Sequence, residues 1–395
     1  MIEKLIQNRE LMELLIAALK VIFIAGAVLG SVPFMVWLER RLLGLIQHRT
    51  GPNRVGPFGL LQTIADGVKL LFKEDVHAYS VNPILHRLAP LIMVVPAIMV
   101  ISIIPIGPAV RIGQYTIFLS ITDLDIGILF YLAITSISVY GIVLAGWSSN
   151  SKYSLLGGFR SSAQMLSYEI ALGLSLVGVL LIAGTFQLRA LIEQQSGWFW
   201  HWNLFKQPVG ALIFLVAGFA ESNRLPFDLP EGESELGGGF HTEYSSMKFA
   251  LFFMSEYMNM FTFSAIMTTL FLGGFHAPFP SPFAELTIAN AAWGLAWFSL
   301  KVLLLICFMI FIRGTWPRLR YDQLMDLGWK VMFPLALLNL VASSGVMVFA
   351  PPRQAVGEPL GAAVILALIV TGAAQIVLID RVMSARRKRV LSHAG

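Results

Sequence analysis

The sequence has a single cysteine and very little charge. Cys307 is the only thiol among 395 residues, and it lies inside an apolar run. One thiol cannot ligate an iron–sulfur cluster or a zinc ion, and the sequence has no C-x-x-C or H-x-x-x-H pattern. Charged residues make up 13% of the chain, against 56% hydrophobic residues, and the mean hydropathy is +0.74. A water-soluble domain cannot bury that much apolar surface, so the sequence predicts an integral membrane protein.

The apolar runs are about twenty residues long, which predicts transmembrane helices and excludes the ten-residue alternation of a membrane β-barrel. We therefore expect an all-α integral membrane protein, a multi-pass helical bundle of about nine transmembrane helices. The run at 208–222 is the shortest of them. The predicted spans are roughly 14–37, 88–107, 126–147, 166–186, 208–222, 248–274, 292–313, 329–350 and 360–380.

Basic residues predict the orientation of these spans, since cytoplasmic loops carry an excess of lysine and arginine. The basic-rich segments are the loops 38–87, 148–165 and 314–328 and the tail from Arg386 to Arg389. In a nine-span topology all of them lie on one side. This predicts an external N-terminus and a cytoplasmic C-terminus. Because these residues are scattered between spans, the basic balance does not indicate nucleic-acid binding.

The segment after Pro57 has the periodicity of an amphipathic helix. Gln62, Asp66 and Lys69 share one face, opposite a stripe of apolar residues. An interfacial anchor with solvated charges would explain this pattern. The preceding stretch from Thr50 to Pro57 is rich in glycine and proline, which favours a defined backbone path beside Arg54 and therefore a functional loop.

The loop from Glu221 to Tyr244 is strongly acidic. Its carboxylates face a single base, Arg224, and they are Asp228, Glu231, Glu233, Glu235 and Glu243. Carboxylates at close range cannot all ionise at neutral pH, so we expect some of them to hold and release protons. A solvated acidic loop is the alternative. The glycines at 237–239 suggest a hinge or a close backbone approach.

Several ionisable residues lie within the predicted spans. An ionised side chain at mid-membrane costs at least ~2.5 kcal/mol, so such residues are usually functional and face the bundle interior. Glu169, Glu221 and Glu256 all fall in the cytoplasmic half, where we expect one buried acid cluster; isolated structural acids are the alternative. Glu39 ends the first span, and Lys301 lies in the middle of the seventh.

Long motifs make the chain resemble one membrane-subunit family of bacterial NADH–quinone oxidoreductase (respiratory complex I), the family that corresponds to mitochondrial subunit 1. The resemblance covers nearly all of residues 15–350. It is carried by Glu-Arg-Arg at 39–41, Gly-Pro-Asn-Arg-Val-Gly-Pro at 51–57, Thr-Ile-Ala-Asp-Gly-Val-Lys at 63–69, Ser-Tyr-Glu at 167–169, Glu-Ser-Asn-Arg-Leu-Pro-Phe-Asp at 221–228, His-Thr-Glu-Tyr at 241–244 and Arg-Gly-Thr-Trp-Pro-Arg at 313–318.

The resemblance implies a component of a proton-translocating enzyme that forms the chamber for ubiquinone or menaquinone at the junction with the hydrophilic arm. Metals, flavin and the residues that reduce the quinone headgroup would belong to other subunits. The implied partners are those hydrophilic-arm subunits, adjacent small membrane subunits and the lipid bilayer of a bacterial inner membrane. The chamber would include Arg40, Arg41, Arg54, Asp66, Lys69 and Phe227. The proton-coupling path would include Glu169, Glu221, Glu231, Glu233, Glu235, Glu243 and Glu256, with Glu39 and Lys301 as further candidates.

The chain departs from the family pattern in two places. The family core has eight spans, whereas residues 351–395 add a further predicted helix and a basic tail beyond the core domain of residues 1–350. Glu235 is also followed by an unusually glycine-rich stretch. Two alternatives fit less well. The related membrane component of hydrogenase-type complexes would lack a quinone chamber, and a stand-alone ion transporter would show inverted repeats, which we do not see.

Overall fold

The computed structural model describes residues 9–349 except 77–78, 80, 114 and 229–236. This part of the chain is mainly helical. Its α-helices are α1 Arg9–Ile46, α2 Gln62–Phe72, α3 Pro83–Ile101, α4 Gly127–Ser148, α5 Lys152–Ala183, α6 Leu188–Glu193, α7 Asn203–Lys206, α8 Pro208–Glu221, α9 Ser246–Phe271, α10 Ile288–Thr315, α11 Tyr321–Asp326 and α12 Phe333–Phe349. A π-helical turn, Leu327–Met332, joins the last two. The predicted span 360–380 and the tail from Arg386 to Arg389 lie outside the described residues.

Six helical segments in the described part are long and apolar enough to cross a bilayer. They are Ala17–Ile46, Pro83–Ile101, Gly127–Ser148, Lys152–Ala183, Ile288–Thr315 and Tyr321–Val348. The predicted spans at 208–222 and 248–274 correspond to α8 and α9. Helix α8 has 14 residues, or roughly 21 Å at 1.5 Å per residue, which is shorter than a typical hydrocarbon core. The predicted number of nine spans therefore stays a prediction.

Two helices extend beyond the boundaries that hydropathy predicts. Helix α1 continues to Ile46, so Glu39, Arg40 and Arg41 lie on a helix and not in a loop. Helix α5 already begins at Lys152, within the predicted loop 148–165. Leucine, glutamate and arginine are good helix formers, so a helix continues after its sequence becomes charged. Hydropathy marks the end of an apolar run, which is a different boundary.

The main hydrophobic core lies between the long helices and α8. Tyr131 of α4, Leu172 of α5 and Phe214 of α8 are among its fully buried side chains. A smaller core lies under the 3-10 turn Gly239–His241. There a Cβ atom on Gly157 would come within 2.8 Å of the Gly239 Cα atom. This contact confirms a close backbone approach at the glycine-rich stretch.

The described part also contains a β-hairpin that the sequence did not predict. Strands β1 Gly107–Ile112 and β2 Tyr115–Leu119 pair antiparallel, with Val110 opposite Ile117. The hairpin packs against the start of α10, where a Cβ on Gly294 would meet the Pro108 ring at 2.5 Å. This element covers one end of the helical bundle.

Candidate functional site

The most polar point inside the bundle is a buried carboxylate, Glu39, which is only 4% exposed. Arg224 Nη1 lies 3.4 Å and 3.3 Å from its two carboxylate oxygens. The Tyr257 hydroxyl donates a hydrogen bond of 2.6 Å to Oε2, and Arg313 donates to Oε1. We call these four residues the Glu39 cluster. They come from α1, the loop after α8, α9 and α10, so the cluster joins four separate parts of the chain.

The charges in this cluster compensate one another. Burial lowers the pKa of Arg224, but the charge of Glu39, together with Tyr257 and Glu256, outweighs burial and raises the pKa well above its ordinary value. Arg224 therefore stays charged. Its guanidinium lies 4.1 Å from the centre of the Tyr257 ring. Its Nε and Nη2 atoms are buried and have no hydrogen-bond partner among the described residues. The cluster thus holds a buried cation with donors to spare.

Next to this cluster, Arg40 connects α1 to α2. Arg40 Nη1 lies 2.5 Å from Asp66 Oδ2, and Gln62 donates to Oδ1 of the same carboxylate at 3.4 Å. Arg41 donates to the Phe58 carbonyl at 3.4 Å, and its guanidinium lies over the Phe58 ring. The structure therefore brings Arg40, Arg41 and Asp66 together at one end of α1.

Arg54 and Lys69, predicted for the same chamber, are both exposed. The apolar face of α2 is exposed as well: Ile64 is 54% exposed, Val68 46% and Leu71 61%. In the isolated chain, this side of α2 is thus left uncovered.

Phe227 lies on the other side of the Glu39 cluster and is buried. Its backbone N–H donates to the Arg224 carbonyl at 2.8 Å. Its own carbonyl accepts a 2.8 Å hydrogen bond from the Gln164 side chain, and its ring packs against Tyr168 at 5.7 Å. These contacts fix the backbone that carries Arg224.

Glu169 and Glu221 form a second polar group, between α4, α5 and α8. Their charges are close enough to interact. Ser136 donates to Glu169, and Tyr131 and Thr135 hydrogen-bond to Glu221. Oε2 of Glu221 is buried and has no hydrogen-bond partner among the described residues.

A cavity of about 20 Å³ adjoins Glu221, and its lining includes Tyr131, Thr135, Ser138 and Asn259. Roughly 10–15 Å³ is enough for one water molecule when polar partners are present. The cavity can therefore hold a water beside the Glu221 carboxylate.

The remaining predicted acids are placed differently. Glu256 is buried on α9 and interacts electrostatically with Arg224, so it belongs with the Glu39 cluster. Glu243 is half-buried after the 3-10 turn. Glu231, Glu233 and Glu235 lie outside the described residues.

Lys301 lies far from these groups. Its Nζ donates to the carbonyls of Leu272, Gly274 and His276 at 2.5, 3.0 and 2.6 Å. It also lies 4.2 Å from the centre of the Trp202 ring. A cation at the C-terminal end of a helix satisfies carbonyls that have no intrahelical partner. Lys301 therefore fixes the turn after α9.

The segment after α2 is tied to the start of α9. The Ser246 hydroxyl donates to the carbonyls of Leu70 and Lys73 at 3.0 and 2.8 Å. Lys248 Nζ lies 2.8 Å from Asp75 Oδ2. Because α9 carries Glu256 and Tyr257, these contacts connect α2 mechanically to the helix of the Glu39 cluster.

Sequence reasoning does not single out three members of the cluster. Arg224 is the lone base of an acidic loop, and Arg313 opens one of the motifs, but neither position alone predicts a site role. Tyr257, next to Glu256, carries no signal of its own. Buried arginines beside a buried glutamate are recognisable only once the helices that carry them are packed together.

In the described part of the chain, no group of three or more His, Cys, Asp or Glu side chains is arranged to hold a metal ion. What the geometry offers is a set of buried, paired charges. Such a set can respond to a change of charge nearby by shifting protons or ion pairs.

Comparison with known proteins identifies relatives over most of the chain. A family model described as NADH dehydrogenase matches residues 19–344. One NADH-quinone oxidoreductase H subunit of Koribacter versatilis, the copy numbered 2, is 50% identical over 343 residues, covering 84% of this chain and 96% of the relative. NADH-quinone oxidoreductase subunit 8 of Rhodothermus marinus is 50% identical over 342 residues, covering 84% and 97%. The corresponding H subunit of Geobacter sulfurreducens, also numbered 2, is 48% identical over 342 residues, covering 87% and 99%.

Proposed function

Because the chain belongs to the NADH dehydrogenase family, as a membrane subunit of the NADH-quinone oxidoreductase (complex I) type, we propose that it helps to form the quinone chamber and couples quinone reduction to proton translocation. The redox cofactors would be on other subunits. Partners would be the hydrophilic-arm subunits that reduce the quinone and the adjacent small membrane subunits. The membrane would be a bacterial inner membrane, crossed nine times, with the N-terminus outside and the C-terminus in the cytoplasm.

The observation that carries this proposal is the Glu39 cluster. A neutral quinone takes up two electrons and two protons when it is reduced, so negative charge develops on its oxygens before the protons arrive. Arg224 has buried donors to spare, and a nearby anion would draw it away from Glu39. A weaker contact with Arg224 would favour protonation of Glu39.

The wall of the chamber would be the end of α1 and the α2 segment, with Arg40, Arg41, Arg54, Asp66, Lys69 and Phe227. The Arg40–Asp66 contact of 2.5 Å joins the two helices. The exposed apolar face of α2 suits an amphipathic interfacial helix that guides a long apolar quinone tail.

The coupling path would run from this chamber through buried acids. Glu256 interacts with Arg224, so it senses any change at the Glu39 cluster. Glu169 and Glu221 interact with each other beside a cavity that can hold one water. Glu231, Glu233, Glu235 and Glu243 would continue the acidic path. The change would pass laterally as an electrostatic signal, a proton, or both.

The test is Glu169→Gln in the assembled complex, with quinone reductase rate and protons pumped per NADH oxidised measured together. Loss of the ionisable group should lower at least one of them. The matched control is Asp125→Asn, which removes an exposed acid outside the polar groups described above. An unchanged rate together with an unchanged pumping ratio in the Glu169 variant rules out a coupling role for this site.

A further inference from the structure

A second and larger cavity, of about 620 Å³, lies at the other end of the bundle. Gly294 of α10 lines it, whereas Arg313 of the same helix reaches Glu39. At 1.5 Å per residue, roughly 28 Å of helix separates Gly294 from Arg313. The cavity lies between the β-hairpin and the segment that joins α9 to α10. The proposed function makes no use of it.

The walls of this cavity are held in place by hydrogen bonds. Lys301 binds the carbonyls of the turn at 272–276. The Arg111 N–H of the hairpin donates to the Leu286 carbonyl at 3.0 Å, and the Phe199 N–H donates to the Pro278 carbonyl at 3.0 Å. A cavity with such a frame is largely preformed, as ligand sites usually are, and its volume is that of a typical ligand pocket.

The lining combines aromatic rings with charges of both signs. Phe118, Phe279 and Trp293 are among the rings. Arg189 is the cation; its Nε lies 3.0 Å from Glu193, and its guanidinium lies 3.8 Å from the centre of the Phe118 ring. Glu285 adds a second carboxylate. One cation and two carboxylates leave the lining with a small excess of negative charge.

Two buried nitrogens at the cavity remain unsatisfied. Trp293 Nε1 and His276 Nε2 have no hydrogen-bond partner among the described residues. An indole N–H can only donate, so Trp293 requires an acceptor. A buried donor without a partner is unfavourable, and such groups usually indicate a missing water or ligand.

We propose that this cavity binds one zwitterionic phospholipid whose headgroup ends in a primary ammonium. The phosphate oxygens accept hydrogen bonds from Trp293 and Arg189. The ammonium lies near Glu193 and Glu285, and the start of an acyl chain packs on the aromatic rings. The two carboxylates disfavour a lipid with net negative charge.

Lipid is the occupant that the surroundings favour over a soluble solute. Phe279 and Phe283, on the rim, are 40% and 42% exposed, and Ile288 at the start of α10 is 70% exposed. In a membrane protein, such rings and apolar side chains are typical of the bilayer interface. A phospholipid also supplies, in one molecule, an apolar chain, an acceptor and a cation.

The test uses the assembled complex in nanodiscs of phosphatidylethanolamine and phosphatidylglycerol in equal amounts. Trace lipid of either headgroup carries the same photoactivatable acyl chain, and labelled peptides are identified by mass spectrometry. We expect residues 275–294 to be labelled several-fold more by the phosphatidylethanolamine probe. Trp293→Phe should lower that labelling by roughly two- to tenfold, the effect of one lost hydrogen bond.

Two further variants sharpen the result. Trp297→Phe is the matched control, because this ring packs on Trp293 at 5.9 Å but does not line the cavity. It should leave labelling unchanged. Glu285→Lys, at an exposed position, should shift the preference toward phosphatidylglycerol. Equal labelling by both probes in the parent and in Glu285→Lys, or a partner subunit filling the cavity in a structure of the complex, overturns the proposal. Neither result bears on the quinone chamber.

Discussion

Tyr257 donates a hydrogen bond of 2.6 Å to Glu39, a residue 218 positions earlier in the chain, and the same ring lies against Arg224 at 4.1 Å. One aromatic side chain therefore contacts both members of a buried ion pair. The hydroxyl orients the carboxylate, and the ring face supports the cation. This arrangement holds the Glu39 cluster in one geometry across four parts of the chain.

Glu39→Gln should destabilise the protein strongly. The change removes the negative charge that Arg224 and Arg313 share and leaves two cations, one of them fully buried. Breaking a buried pair costs about 3–5 kcal/mol. We expect a lower denaturation temperature of the purified complex and a lower yield of assembled complex, measured by thermal denaturation and native gel electrophoresis.

Tyr257→Phe provides the graded comparison for that variant. It removes one hydrogen bond to a charged group, about 1.5–3 kcal/mol, and keeps the ring beside Arg224. Tyr140→Phe, at an exposed position, is the control and should have no effect. Wild-type stability in Glu39→Gln contradicts the assigned role of the cluster.

The Arg40–Asp66 pair should contribute little to stability and more to quinone binding. Both side chains are partly exposed, at 44% and 37%, and exposed pairs contribute about 0.2–1 kcal/mol. In a double-mutant cycle with Arg40→Ala and Asp66→Ala, we expect a small coupling energy for unfolding. The quinone KM should rise in both single variants.

A cycle on Lys330 and Asp326 serves as the control, because this pair at 2.6 Å is also exposed and lies outside the proposed chamber. Its loss should leave the quinone KM unchanged. A coupling energy of several kcal/mol for Arg40 and Asp66, with no change in KM, contradicts the prediction.

Acidification should destabilise the turn at His276. Burial, followed by the charge of Lys301, lowers the pKa of His276 from 6.5 to about 4. The unfolded chain therefore binds a proton at a higher pH than the folded chain does. This contribution to stability is complete above pH 6.5 and is lost as the pH falls toward 4. One proton gives a slope of at most about 1.4 kcal/mol per pH unit.

The measurement is the denaturation temperature of the complex between pH 7 and pH 5. His276→Gln should flatten the decrease relative to the parent, because the titrating group is gone. His201→Gln, at an exposed histidine, should retain the parental slope. If the His276 variant has the same slope as the parent, another group accounts for the pH dependence.

Local sequence patterns predict much of the helical fold. Long apolar runs correspond to α1, α3, α4, α5, α10 and α12, and the periodicity after Pro57 corresponds to α2. The hairpin at 107–119 is not predicted, because its strands are short and lie between apolar helices. The extension of α1 to Ile46 is not predicted either, because hydropathy stops at the first charges.

The candidate site is predictable only in part. Glu39, Arg40 and Asp66 are all candidates from the sequence, and the structure places them at one end of α1 and α2. Lys301 is a candidate because of its position within a span, and the structure accounts for it as the cation that binds the turn after α9. The partners of Glu39 could not be predicted, because Arg224 and Arg313 lie 185 and 274 positions away.

The sequence alone determined that this is a helical membrane protein with few charges, and it showed which side chains were too polar for lipid. These properties depend on composition and on periodicity within a few turns of helix, which are local. Only the tertiary structure decided that Glu39 is compensated by Arg224 and Arg313, and that charges of both signs line a cavity at the other end of the bundle. Such contacts depend on how whole helices pack, and helix packing is set by many side chains distant in sequence.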